Sequence, residues 1–575
     1  EVGVDAATDG DIAAAERAFA TAKAAFAAAD DRLASPALTA AQSVPGLGPN
    51  VVASRTVAAA GLDLSAEGVR LAAQAEAEDL VLVDGAFPVE ATRRLGEDLS
   101  AVLDTLRRVG GDLDDVRSPY LVAPVAVAVD DLRARLDEAV DASAIAADVA
   151  ARAPALLGAD GTRRYALLVL SPAEARGGGG IIGAVGELVA TDGRLELTSF
   201  DPVSELNNRT DPVRQVEALE PVFSTSLYAG FFPERNWQNL TLSPDFPTVA
   251  RSVEAAYPLT GGAPLDGVIA VDPIGLAALL TVAGPVDVVP WPERITAENA
   301  VDILLFEAYV QLDEDTQDAF AGEVARTVFT QLTESGEATP PRLAAAVGPT
   351  VDAGHLRFYA TRADEQAMFE RLAADGAVPD RGDGDGLVVV TQNGSESKID
   401  WFTRRAVAYD VAYDPGNGAT TATATVTLTN TAPAEGLPQV VLGGGVSAAG
   451  TARTFVQIHS PLELTGGRVD GEETGFGGGV EGGVNVYNAL VEVPAGATVT
   501  VSFDLAGTLA PGDYRLALGH QATVVPDDVT VDVTMAPGWR AGPGEDVGDA
   551  GAERHVQRRF TLDGSRLVTV AAVAD

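Results

Sequence analysis

Cysteine is absent from all 575 residues, which excludes disulfides, thiolate metal sites and cysteine nucleophiles together. Lysine is nearly absent: Lys23 and Lys398 stand alone, and arginine supplies the remaining positive charge. Basic residues are scarce altogether, 39 Lys and Arg against 83 Asp and Glu, for a formal charge of −44. A polyanion meets long-range repulsion over such a surface, so nucleic acid is excluded as a partner. The four histidines, His355, His459, His520 and His555, show neither metal-ligand spacing nor a Ser-His-Asp pattern. No apolar run reaches the roughly 18 residues a membrane helix requires. The first residue is Glu1 rather than Met, and a removed upstream signal or anchor is expected.

What is present is ordinary globular material, 46% hydrophobic and 21% charged, which argues against wholesale disorder. At this length two or three cores are expected, because single cores stop growing near roughly 250–300 residues. Ile12, Phe19, Phe26 and Leu33 recur every seventh residue, with Ala15, Ala22 and Ala29 between them, a helical seam built for close packing. A Pro- and Gly-containing break at 43–50 precedes helical patterns over 71–82, 89–109 and 121–157, with Gly110 and Gly111 read as a C-terminal cap. Residues 1–156 are therefore expected to form an α-helical stalk or bundle.

The period changes at Arg164. A strand at 165–170, a glycine loop at 177–180 and a hairpin of 181–190 with 194–200 come first. Then follow a helix over 247–257, a strand at 267–271, a helix over 274–282 and a strand at 286–289. Thr296 is placed as the N-cap of a long helix over 297–312, with another helix over 319–332. This is an α/β layer pattern, assigned to residues 157–398. After Gly386 alternation dominates: Ala422, Ala424, Val426 and Leu428 between threonines, then Val499, Val501, Phe503 and Leu505, then Val529, Val531 and Val533. Residues 399–575 are expected to be an antiparallel β-sandwich. The stretch 475–483 is read as a glycine-rich loop, and Asp380, Asp383 and Asp385 as a polar linker. The fold class is thus multidomain α+β.

The segment 155–207, "ALLGADGTRRYALLVLSPAEARGGGGIIGAVGELVATDGRLELTSFDPVSELN", resembles the bacterial domain-of-unknown-function family numbered four-thousand-and-twelve. Glu174, Arg176, Gly179, Gly180, Ile182 and Gly183 match its pattern, while Ser171 and Pro172 replace its usual Asn pair. The likeness continues through "LSPDFPTVARSVEAAY", "LDGVIAVDP", "AGPVDVV" and "ITAEN" into "QNGSESKIDWFTRRAVAYDV" and "TLTNTAP". More distantly, the order of elements in the central domain is similar to the LytR-CpsA-Psr glycopolymer transferases. That resemblance implies a cell-surface protein, anchored in the cytoplasmic membrane, that binds and transfers a polyprenyl-pyrophosphate-linked glycan or wall polymer at the mouth of an apolar tunnel. An active member would be a glycopolymer phosphotransferase, with Mg2+ as cofactor. The alternative is a noncatalytic cell-surface scaffold or assembly factor with envelope protein partners and a degenerate transferase-like domain.

Such chemistry needs cations around a leaving pyrophosphate, and arginine suits it with planar, permanently charged donors. The candidates are Arg176 in the glycine loop, Arg209, Arg214, Arg235 and Arg251, with the glycines beside Arg176 baring backbone N–H groups to phosphate oxygens. Asp201 joins Arg176 as a catalytic candidate. Glu174, Asp245 and Asp266 are the metal candidates. Lys398 is expected to meet a phosphate or Asp400 at the junction of two domains. One departure favours the scaffold: Asp313, Glu314, Asp315 and Asp318 stand where the transferases usually carry arginines.

Overall fold

The computed structural model describes residues 2–8, 11–77, 85–220, 227–334, 338–542 and 554–575. It is a mixed α and β protein with helices at the N-terminus and a strand-rich C-terminal region. It divides into two compact units, residues 1–162 with 190–195, and residues 163–189 with 196–575.

In the first unit the main helices are α1 (Ile12–Leu33), α2 (Gly48–Ala77), α3 (Val89–Asp115) and α4 (Ala123–Leu156). The seven-residue seam of α1 has a specific partner. A Cβ on Gly68 would lie 2.5 Å from the Phe19 ring, and one on Gly61 2.4 Å from the Phe26 ring. Bare glycines on α2 thus receive the two phenylalanines, and the order of the pairs makes α1 and α2 antiparallel. Gly110 and Gly111 do not cap α3, which runs on to Asp115. Val109 and Leu113, 1% and 0% exposed, keep the apolar stripe in the core, and that burial outweighs the intrinsic penalty of two glycines. The expected helix over 71–82 is the end of α2, and its residues 78–82 lie outside the described residues. Among the described residues no helix is long and apolar enough to cross a membrane.

The second unit opens with β1 (Arg163–Ser171), β2 (Ile181–Thr191), β3 (Arg194–Pro202), β4 (Gly267–Val271) and β5 (Leu356–Ala360). Among the described residues these form a five-stranded sheet in the order β3-β2-β1-β4-β5, with β1 parallel to β4. Alternate residues of β1 serve two cores. Ala166, Leu168 and Leu170 pack with helix α5 (Phe246–Ala256), while Leu167 and Val169 pack with Phe200 and Ala325. A strand buried on both faces reads as a continuous apolar run, which is what 165–170 shows.

Two expectations in this layer fail. Residues 286–289 form no strand, only a bridge from Val286 to Ile295. The helix expected over 297–312 begins at Ala300, and a π turn at Ile303–Glu307 interrupts it. There Phe306 stacks on Trp401 at 5.7 Å, a contact that periodicity along the chain does not encode.

The C-terminal strands are β6 (Asp385–Asn393), β7 (Thr403–Tyr413), β8 (Ala419–Asn430), β9 (Ala452–Ser460), β10 (Glu463–Val469), β11 (Glu472–Glu473), β12 (Gly477–Glu481), β13 (Val484–Val493), β14 (Thr498–Thr508), β15 (Tyr514–Gly519), β16 (Asp527–Met535), β17 (Trp539–Ala541), β18 (His555–Leu562) and β19 (Arg566–Val570). Among the described residues all but β17 make a seven-stranded sheet, β11-β10-β14-β8-β7-β16-β18, and a six-stranded one, β12-β13-β9-β6-β15-β19, while β17 pairs with residues Ala572–Ala574. One core takes residues from both, Val426, Phe503 and Val531 from the first and Val389, Ile458 and Leu516 from the second. β6 is buried along its whole length and belongs to this sheet, although it precedes residue 398, where the α/β domain was expected to end. Asp385 is no linker residue: it is fully buried and accepts from Tyr409 OH at 2.8 Å and Tyr514 OH at 2.7 Å. The glycine-rich stretch 475–483 is largely strand, β12 and its turn into β13.

Candidate functional site

The loop from β1 to β2, residues 172–180, carries the densest set of candidates, and glycine dictates its course. A Cβ on Gly177 would sit 2.3 Å from Leu242 O, and one on Gly180 2.3 Å from Ser171 O, where φ is also +120°. Only glycine allows this closeness and this backbone. Gly178 N donates to Thr241 O at 2.7 Å, Gly177 N to Gln392 Oε1 at 3.1 Å and Gly179 N to Arg176 O at 2.9 Å. The N–H groups of Gly177, Gly178 and Gly179, expected to meet phosphate oxygens, are therefore engaged inside the protein.

Arg176 is 9% exposed. Its Nε donates to Asn239 Oδ1 at 2.9 Å, and its Nη1 to Ala175 O at 2.9 Å and Asn393 O at 2.8 Å. The guanidinium lies 5.0 Å from the Phe231 ring centroid. Burial pushes its pKa down to about 10 against the pull of Glu174 and Asp400. This geometry ties the loop to β6, in place of the expected post at a tunnel mouth.

Lys398 closes the same junction. Its Nζ pairs with Glu174 and lies 4.3 Å from the Tyr309 ring centroid. Burial alone would lower its pKa, and Glu174 and Tyr309 outweigh burial and raise it. The partner is Glu174 rather than the expected phosphate or Asp400. Asp400 instead accepts from Ala175 N at 2.9 Å and Asn393 Nδ2 at 2.5 Å. Burial raises its pKa to about 6, while those two donors favour the ionised form. Gln521 Nε2 donates to Arg176 O and Thr391 O, both at 2.8 Å.

Arg176, Glu174 and Lys398 are thus brought together, and the other candidates lie elsewhere. Asp201 and Arg209 form a partly exposed pair at 3.0 Å. Arg214 is exposed on a short helix, and Arg235 is 69% exposed beside Glu234. Asp245 caps α5, accepting from Thr248 N at 3.1 Å and Thr248 Oγ1 at 2.6 Å, and Arg251 donates to Thr248 Oγ1 at 2.9 Å. Asp266 accepts from Arg164 N at 2.9 Å and faces Arg163 Nε at 3.2 Å. The carboxylates chosen for Mg2+ do not suit it, since Glu174, Asp245 and Asp266 serve separate partners. Among the described residues no three His, Asp or Glu side chains gather as a metal-holding group.

A family model described as "Protein of unknown function (DUF4012)" matches residues 160–309. The match covers 150 of the 575 residues, and over that segment the chain is similar to the family. No curated protein matches the chain. The DUF4012 segment contributes Glu174, Arg176, Asn239 and Tyr309 to the junction, while Asn393, Lys398 and Asp400 come from beyond it. Asn239, Gln392 and Gln521 escaped selection as site residues, and Asp400 was named only as a partner for Lys398. The signal for them is weak in sequence, because buried amides have no spacing rule. The segment "QNGSESKID", quoted for its likeness to the family, contained Gln392 and Asp400.

Proposed function

We propose that this chain is a noncatalytic cell-surface scaffold in which a degenerate transferase-like α/β layer and a β-sandwich form one body that contacts wall polymer or envelope proteins. The observation that carries this reading is the state of Arg176 and Lys398. Arg176, expected to face a leaving pyrophosphate, and Lys398, expected to meet a phosphate or Asp400, instead hold a loop onto β6 and its neighbourhood, through carbonyl oxygens and Glu174. A group that stabilises a transition state must be aimed at the place where charge develops. Cations engaged with internal acceptors hold the fold instead. The acidic residues at 313–318 support the same reading, because they repel pyrophosphate.

The test is turnover of a polyprenyl-pyrophosphate-linked glycan in the presence of Mg2+, with wild type and Arg176→Lys measured beside their unfolding transitions. The scaffold reading expects no glycan release by either protein and a lowered melting temperature for the variant. Release by wild type that disappears in Arg176→Lys at unchanged stability would establish the transferase instead.

A further inference from the structure

The helical unit ends in a tip made of two loops, the connection from α1 to α2 and the connection from α3 to α4. Asn50, 8% exposed, fastens them together. Its Nδ2 donates to Gly46 O at 2.9 Å and Tyr120 O at 3.1 Å, and its Oδ1 accepts from Val122 N at 2.7 Å. Gly96 lies beside Ala150 and Gly110 beside Arg133, so α3 and α4 are antiparallel. Their other ends meet at residues 190–195, where Phe87 N donates to Gly193 O and Gly193 N to Leu157 O. The 27 residues of α3 separate that end from the tip by about 40 Å.

The tip departs in composition from the rest of the chain. Residues 33–54 and 118–129 contain no Asp, Glu, Lys, Arg or His, although 21% of the whole chain is charged. In place of charge the two loops and the first turn of α4 present Val44, Leu47, Tyr120, Val122 and Val127, each between 48% and 71% exposed. Apolar surface left in water is unfavourable, and a patch of it marks an interaction surface.

The chemistry of the patch selects the partner. A stable protein interface engages about 20–30 residues a side and makes about one hydrogen bond per 100–200 Å2. The tip has a handful of large apolar side chains and no charged one, and Asn50 spends its amide between the loops. A lipid bilayer needs neither breadth nor hydrogen bonds; it needs inserted backbone to satisfy its own polar groups. Leu47 N and Gly48 N donate to Val44 O at 3.2 and 2.8 Å, and Leu121 N donates to Ser118 O at 3.2 Å. Pro45, Pro49, Pro119 and Pro124 have no N–H to satisfy. Arg117 and Asp130 bound the second loop and pair at 3.3 Å, so charge begins where insertion must stop. Tyr120 suits the headgroup level, where its ring is buried and its hydroxyl stays wet.

We propose that this tip docks on a lipid surface and inserts Val44, Leu47 and Tyr120 at the boundary of headgroups and acyl chains. A chain with a formal charge of −44 is repelled by anionic headgroups, so the preferred surface is zwitterionic, the reverse of a basic membrane binder. The contact is shallow and reversible, made by loops and not by a spanning helix. It does not rest on the scaffold reading, since none of its residues belongs to the junction around Arg176.

The full chain is tested by flotation with phosphatidylcholine vesicles and with vesicles containing phosphatidylglycerol. Wild type is expected to bind the first and, at low salt, to bind the second more weakly. Leu47→Asp and Tyr120→Asp are each expected to weaken binding about tenfold or more. Both positions are exposed, so melting temperatures stay at the wild-type value, and Val446→Asp, at an 80% exposed site outside the helical unit, binds as wild type does. Tyr120→Trp is expected to gain fluorescence that brominated phosphatidylcholine quenches. The proposal is overturned if wild type does not bind phosphatidylcholine, if both folded tip variants bind as wild type does, or if binding requires phosphatidylglycerol. Self-association that Leu47→Asp abolishes, without vesicle binding, overturns it in favour of a second copy of the chain.

Discussion

The junction around Arg176 and the surroundings of His459 both bury polar side chains, yet they differ in one respect. At the junction Arg176 is held by Asn239, Ala175 and Asn393, and Asp400 by Ala175 and Asn393. His459 is 4% exposed, its Nε2 is buried with no hydrogen-bond partner, and its Nδ1 lies 3.9 Å from Glu481 Oε2. A satisfied buried network rigidifies a fold, whereas a buried polar atom without a partner costs stability. Charge and a glycine-rich setting therefore do not identify a site by themselves. The decisive property is whether the donors and acceptors are already engaged.

The comparison breaks most severely at Gly180. Gly180→Ala puts a Cβ 2.3 Å from Ser171 O at a φ of +120°, and urea unfolding is expected to show a loss of more than about 3 kcal/mol. Next comes a pH effect at the junction. The Asp400 pKa is raised by burial to about 6 from an ordinary 3.8, so the folded state binds its proton more tightly than the unfolded state does. Stability from this group is full below about pH 4 and falls as pH rises to about 6, by at most about 3 kcal/mol. Asp400→Asn flattens that slope in urea midpoints measured across the window. At His459 the sign changes: His459→Leu removes an unpartnered buried nitrogen, and thermal unfolding is expected to show no loss or a gain of up to about 1 kcal/mol. The smallest effect belongs to the surface. Arg209→Ala breaks a partly exposed pair with Asp201 and shifts stability by less than about 0.5 kcal/mol, readable in the same urea assay.

Periodicity made much of the fold legible. The Ala422 to Leu428 alternation became β8, with those residues in the core. The seven-residue seam became α1, and the apolar run at 165–170 became β1. Three readings failed where a distant contact outweighed a local signal. Gly110 and Gly111 stay helical because Leu113 is buried. The helix after Thr296 carries a π turn where Phe306 stacks on Trp401. Asp385 is drawn into a core by two tyrosine hydroxyls.

The candidate site was legible only as an inventory. Glu174, Arg176 and Lys398 were recognisable as charged residues in unusual settings, and the structure brings these three together. Their roles were not legible, because Arg176 meets the carbonyl of Asn393, 217 positions away, and Lys398 meets Glu174 across 224. His459 and Glu481 carried no sequence signal, since neither lies in a ligand-spaced motif.

The sequence by itself determined the helical start, the apolar strand that opens the middle layer and the alternating strands that follow, because those patterns depend on neighbours a few residues apart. Tertiary structure alone decided which cations are held by internal acceptors and which buried atoms lack a partner. A hydrogen bond depends on distance and direction between groups that the chain order leaves far apart.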